Sequence, residues 1–94
     1  MATLTAEEIA DGLRGLDWEY RDNAIHRRFN FPSFMSAIAF VNRVADVAEA
    51  EDHHPDILVN YRTVSLSLST HSEGGVTERD IDLAHKLDAV GQES

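Results

Sequence analysis

Hydrophobic positions along this chain follow two periods, and the switches between them outline the elements. Thr5-Ala-Glu-Glu8 is a capping-box pattern, threonine and glutamate each able to bond the other's backbone N–H. Ile9 and Leu13 follow on one helical face, and Gly15 offers a stop. Residues 17 to 21, with Trp18 and Tyr20, read as a first strand, and Arg21-Asp-Asn-Ala24 as a turn. Ile25, Arg27, Phe29 and Phe31 then alternate with His26, Arg28 and Asn30, the period of a second strand pairing back as a hairpin. From Pro32-Ser33 the period becomes helical: Phe34, Ile38, Val41, Ala45 and Ala48 recur by four and three up to about Asp52. Phe40, Val44 and Val47 make a second stripe beside the first. Pro55 disfavours helical geometry at His54, which predicts that the helix ends there.

Ile57 to Tyr61 reads as a third strand. In the fourth, Val64, Leu66 and Leu68 alternate with Ser65, Ser67 and Ser69, so one face is buried and the other polar. Continued parity puts His71 on the serine side. Ser72-Glu-Gly-Gly75 is a loop, and Thr77-Glu-Arg-Asp80 opens a last helix with Ile81, Ala84 and Leu87 inward. From Gly91 the chain is expected to fray. The order α-β-β-α-β-β-α predicts an α+β fold: one domain over residues 1–94, a four-stranded antiparallel sheet with helices packed on one face. The apolar face of the long helix is wider than so small a sheet needs, which predicts a subunit contact and a homo-oligomer, dimer or tetramer.

Composition narrows the function. Eight basic residues against seventeen acidic ones give a net charge of −9, and the arginines form no basic run. That charge repels phosphate backbones and argues against direct nucleic-acid binding. No apolar run approaches the ~20 residues of a membrane span. The opening residues have neither the basic nor the apolar region of a signal peptide. The chain has no cysteine, which excludes disulfide and thiolate chemistry and fits a cytoplasmic location.

Candidate chemistry gathers at Glu49-Ala-Glu-Asp-His-His-Pro55 and at His71. Glu49 and His53 stand four apart, so on a continuous helix they share a face. The carboxylate and the helix C-terminus would then favour a cationic imidazole, and His53 is expected as a proton donor; a solvated helix-end pair is the plainer alternative. His54 lies about 100° round the helix and suits ligand binding or C-terminal capping. His71 closes a strand beside a glycine-containing loop, a common place for ligand groups, although a half-exposed strand-end histidine needs no function. Asp80 fits a capping box with Thr77 as N-cap. Arg79, His26 and His85 read as surface residues. A metal site of Glu49, His53 and His71 is weighed against: the chain has no H-x-x-x-H or H-x-H pair, and adjacent histidines chelate one ion poorly.

Taken together, these residues resemble the pterin-4a-carbinolamine dehydratase family. The pattern is Glu49, three residues, His53-His54-Pro55, five residues, Tyr61, nine residues, His71, eight residues, Asp80. Ser69-Thr70-His71, Gly75-Val-Thr-Glu-Arg-Asp80 and Phe29-x-Phe31 with Phe34 are similar as well, so the likeness runs from about Thr5 to Val90. At one place the chain departs: many members carry tryptophan two residues after the proline, where this sequence has Ile57. The resemblance implies elimination of water from a 4a-hydroxytetrahydropterin to a quinonoid dihydropterin, in pterin recycling, with neither cofactor nor metal. It implies His53 and His71 as the acid–base pair and His54 as a residue positioning the ring. Asp52 and the backbone of Ser69 and Thr70 would lie near the pterin edge, and Glu49, Asp80 and Arg79 would support the site. Some members act by binding a protein partner, so a non-catalytic interaction module of the same fold is the alternative.

Overall fold

In a computed structural model that describes residues 2–92, α1 (Ala6–Gly12) is followed by the hairpin β1 (Glu19–Arg21) and β2 (Ala24–Asn30). The long helix α2 (Phe34–Glu51) leads to a second hairpin, β3 (Asp56–Asn60) and β4 (Thr63–Leu68), and α3 (Glu78–Gln92) closes the order. Thr5 caps α1 and Glu8 returns the bond, as the sequence pattern requires. Asp22 and Asn23 both have positive φ, 50° and 63°, the two-residue turn whose twist matches the strands it joins.

The strands form one antiparallel sheet in the order β1-β2-β4-β3, with Ile25 opposite Leu68 and Asn30 opposite Thr63 at the two ends of the central pairing. Val64, Leu66 and Leu68 are at most 1% exposed while the serines between them are half-buried, so the helices cover one face only. Ile9 and Leu13 of the α1 region, Phe40 and Val44 of α2, and Ile81, Ala84 and Leu87 of α3 meet the sheet residues in a single core. Among the described residues, no helix is long and apolar enough to cross a membrane.

Several boundaries differ from expectation. The first strand starts at Glu19, so Trp18 precedes it, and Tyr61 sits in the β3–β4 turn at φ 54°. The stripe of α2 that turns to the sheet is Ala37, Phe40, Val44 and Ala48. Of the five positions read as its main face, only Ala48 is buried; Phe34 is 45% exposed, and Met35 beside it 69%. Two neighbouring apolar stripes make the choice ambiguous, and the sheet takes the one carrying Phe40 and Val44. Gly91 is helical rather than frayed. A Cβ there would come within 2.8 Å of the Phe29 ring, so the last turn packs on β2 through a residue with no side chain. Residues 93 and 94 of the expected tail lie outside the described residues.

Candidate active site

The site begins with the way α2 stops. The helix ends at Glu51, and Asp52, whose N–H still donates to Ala48 O, takes left-handed geometry, φ 51° and ψ 41°. This end comes before the point that Pro55 alone marks, and it redirects the two histidines. His53, only 9% exposed, turns inward, and its Nε2 meets Asp80 Oδ1 of α3 at 2.5 Å. His54 stays exposed and turns back over α2, its Nε2 2.5 Å from Glu49 Oε1. The expected Glu49–His53 pairing is therefore replaced by Glu49–His54 and His53–Asp80. The physical reason is the left-handed residue, which takes position 53 off the helical face of position 49.

Asp80 is fully buried and does more than cap. Its Oδ2 accepts from the backbone N–H of Thr77 at 2.9 Å, the capping bond expected from sequence, and from Thr70 Oγ1 at 2.8 Å. Thr70 Oγ1 also lies 2.8 Å from Thr77 Oγ1. Removing any member of such a buried set leaves polar atoms without partners, at a cost of about 1–3 kcal/mol.

Thr70 connects this network to His71. Its N–H donates to Gly75 O at 2.8 Å and its carbonyl accepts from Glu73 and Gly74, each at 3.0 Å, closing a short 3-10 turn over His71–Glu73. The Thr70 main chain is thus taken up by the loop, and the residue enters the site through its hydroxyl. Gly74, at φ 75°, reverses the chain, and Asn23 in the distant β1–β2 turn donates its amide to Gly74 O. His71 is exposed at the start of this turn and Ser69 is half-buried just before it. One carboxylate thereby holds His53 on one side and, through Thr70, the residue preceding His71 on the other.

Arg79, read as a surface residue, donates from Nη2 to the carbonyl of Asp52 at 2.7 Å and so pins the left-handed turn to α3. His26, also read as surface, is half-buried: Nδ1 lies 2.8 Å from Ser67 Oγ and Nε2 3.1 Å from Arg21 O. His85 is exposed and bonds Gly12 O at 2.8 Å. Glu49, His53 and His71 do not share a site for an ion, and no group of three or more His, Cys, Asp or Glu among the described residues is placed to hold one. A concavity of about 820 Å³ on the polar face of the sheet is lined by His26, Arg28, Asp56, Ile57 and Ser67, among others, and by none of the three site histidines. The sequence reading missed Asn23 and the hydroxyl of Thr77 as parts of the site. Thr77 was visible as a cap, but its bond to Thr70 exists only because the Thr70–Gly75 bridge brings the two together.

Comparison with known proteins identifies the family. A family model described as pterin 4 alpha carbinolamine dehydratase matches residues 2–90. A Mycobacterium avium protein provisionally named a pterin-4-alpha-carbinolamine dehydratase is 50% identical over 91 residues, 96% of this chain and 97% of that protein. A Picosynechococcus protein with the same provisional name is 49% identical, covering 96% of this chain and all of its own length. Among solved structures, the crystal structure of a transcriptional coactivator/pterin dehydratase from Brucella melitensis superposes with a TM-score of 0.88 at 43% identity, over 95% of this chain and 98% of that one. A pterin dehydratase-like protein described as a RuBisCO assembly factor in the alpha-carboxysome shares the fold, with a TM-score of 0.67 at 23% identity over 82% and 89% of the two chains.

Proposed function

We propose that this chain, which belongs to the pterin 4 alpha carbinolamine dehydratase family, eliminates water from a 4a-hydroxytetrahydropterin by histidine acid–base catalysis, in pterin recycling. The 4a-hydroxyl leaves with an added proton, a ring nitrogen gives up another, and the product is the quinonoid dihydropterin. His53 and His71 carry the two proton transfers, and His54, exposed and steadied by Glu49, positions the ring. Asp52 and Ser69 border the ligand, while Asp80 and Arg79 hold the histidine-bearing segments. No cofactor or metal enters this scheme.

The observation that carries the reading is Asp80: one buried carboxylate bonded to His53 and to the residue before His71. It does for His53 what Glu49 was expected to do, stabilising the imidazolium present in one half of the cycle whichever way the proton moves. General acid–base help of this kind is worth ~10²–10⁴-fold in rate. The test is dehydratase turnover of a 4a-hydroxytetrahydropterin. His53→Ala and His71→Ala each remove most of it with circular dichroism unchanged, and full activity in both variants refutes the assignment.

The same reading includes self-association through the outer stripe of α2, where Phe34 and Met35 leave apolar surface uncovered, and a cytoplasmic location, supported by the cysteine-free composition. That stripe also favours a second reading, a coactivator-like interaction module. Under it, Met35→Asp abolishes partner binding while His53→Ala does not. If Met35→Asp changes only the oligomeric state, the module reading loses its motive.

A further inference from the structure

We infer that Thr70 and Thr77 are positioning residues whose hydroxyls form a one-way hydrogen-bond relay deciding which ring nitrogen of His53 holds its proton. The inference rests on the proposed dehydratase site and extends it to residues that touch no substrate.

The direction follows from counting hydrogens. A carboxylate only accepts, and a threonine hydroxyl has one hydrogen to give. Thr70 gives its hydrogen to Asp80 Oδ2 at 2.8 Å. The 2.8 Å bond between Thr70 Oγ1 and Thr77 Oγ1 must then use the hydrogen of Thr77. Thr77 Oγ1 accepts in turn from the backbone N–H of Arg79 at 3.3 Å. Every hydrogen from the first turn of α3 to the carboxylate therefore points toward Asp80. Oδ2 receives two donors, Thr70 Oγ1 and Thr77 N–H, which hold Asp80 as a carboxylate, and a carboxylate presents Oδ1 to the imidazole as an acceptor. His53 must answer as the donor, with the proton on Nε2.

Nδ1 of His53 has no hydrogen-bond partner among the described residues. It is the nitrogen left to exchange a proton with a ligand. The opposite arrangement, a protonated Asp80 donating to Nε2, would move the imidazole proton to Nδ1. The two hydrogen bonds to Oδ2 oppose that state because they are stronger to the charged carboxylate than to a neutral acid. Thr70 and Thr77 are buried, 3% and 0% exposed, so water does not replace either hydroxyl at no cost.

The experiment is long-range ¹H–¹⁵N correlation on the full, ¹⁵N-labelled chain without ligand, followed by steady-state kinetics. In the unaltered protein the His53 Nε2 resonance lies in the protonated range. Thr70→Val moves that resonance toward the unprotonated range, and Thr70→Ser, which keeps the hydroxyl, leaves it in place. On 4a-hydroxytetrahydropterin, Thr70→Val lowers kcat about tenfold at unchanged KM, and Thr70→Ser restores it, as expected of an outer partner that orients a reacting group. Thr77→Val shifts the resonance in the same direction by less, because the Thr77 N–H still reaches Oδ2.

A wild-type His53 protonated on Nδ1 alone overturns the relay. So does a Thr70→Val protein whose imidazole resonances stay put, whether or not activity falls. If Thr70→Val does not fold, the unaltered protein and Thr77→Val decide. The spectra need no substrate, so failure of the dehydratase reading, seen as no turnover with an intact Nε2–H signal, is distinct from failure of the relay.

Discussion

Two buried aspartates eight residues apart on α3 are used in opposite ways. Asp80 accepts from His53, Thr70 and Thr77 at the loop end of the sheet. Asp88 accepts from Trp18 Nε1 at 2.7 Å and from Arg27 Nη1 at 2.8 Å, where Arg27 leaves the inward face of β2 and lies over the Phe29 ring. An indole and a guanidinium hold their protons throughout the ordinary pH range, so the Asp88 cluster can only tie the segment before β1 to β2 and α3. An imidazole can give and take a proton. What separates a structural carboxylate from a working one here is the partner it holds. Burial is nearly the same, 0% exposed for Asp80 and 7% for Asp88.

The comparison breaks most visibly at Asp80. Asp80→Ala leaves His53 unoriented and should lower kcat by ~10²-fold or more, in line with misplaced reacting groups elsewhere. Turnover measured alongside a thermal melt checks it; loss of activity no larger than the loss of folded protein would reduce Asp80 to a cap.

Asp88→Ala should do the reverse. It leaves the buried indole N–H without its partner and Arg27, a side chain about a quarter exposed, with only the longer Asp17 pair at 3.8 Å, at a cost of about 2–3 kcal/mol. Urea titration reads that loss, while kcat per folded molecule stays at the wild-type value. A fall in kcat would mean that the two ends of α3 are coupled.

Gly91→Ala sharpens the structural end further. The added methyl meets Phe29 at 2.8 Å, and since that ring is already packed at a tilt against Phe40 it has little room to yield, so about 1–3 kcal/mol of overpacking is expected without effect on the site. An unchanged denaturation midpoint would show that the last turn of α3 is free to move.

The contrast between the two aspartates also explains what could be read from the sequence. Local rules were enough where one element decides the outcome: the Thr5–Glu8 cap, the Asp22-Asn23 turn, and the serine–leucine alternation of β4 all stand as expected. The four-stranded sheet follows from them. Partners set by long-range closure were not legible. Pro55 announces that α2 ends nearby, yet the stop depends on Asp52 turning left-handed, and only that turn decides which histidine faces Asp80, 27 positions away. Arg27 misleads for the same reason: alternation points it inward, and nothing local reveals that Asp88 waits there. The two stripes of α2 differ so little in hydrophobicity that the sheet, not the periodicity, chooses between them.

The smallest expected effect concerns the loop that carries His71, at Asn23. Its side chain bonds Gly74 O, and its φ of 63° is one that L residues rarely adopt. Two substitutions separate these properties. Asn23→Gly keeps the turn, because glycine enters positive φ freely, and deletes only the bond. Asn23→Ala deletes the bond and adds backbone strain of about 1 kcal/mol. If the bond serves the site, both variants lose kcat by the same few-fold factor while only Asn23→Ala melts lower, and amides of residues 71–75 exchange faster in both. If Asn23 serves the hairpin alone, activity follows stability, and Asn23→Gly turns over like the unaltered chain. The His71 loop would then hold its place through Thr70 and the Gly75 bridge, and Asp80 would be the one anchor common to both histidine-bearing segments.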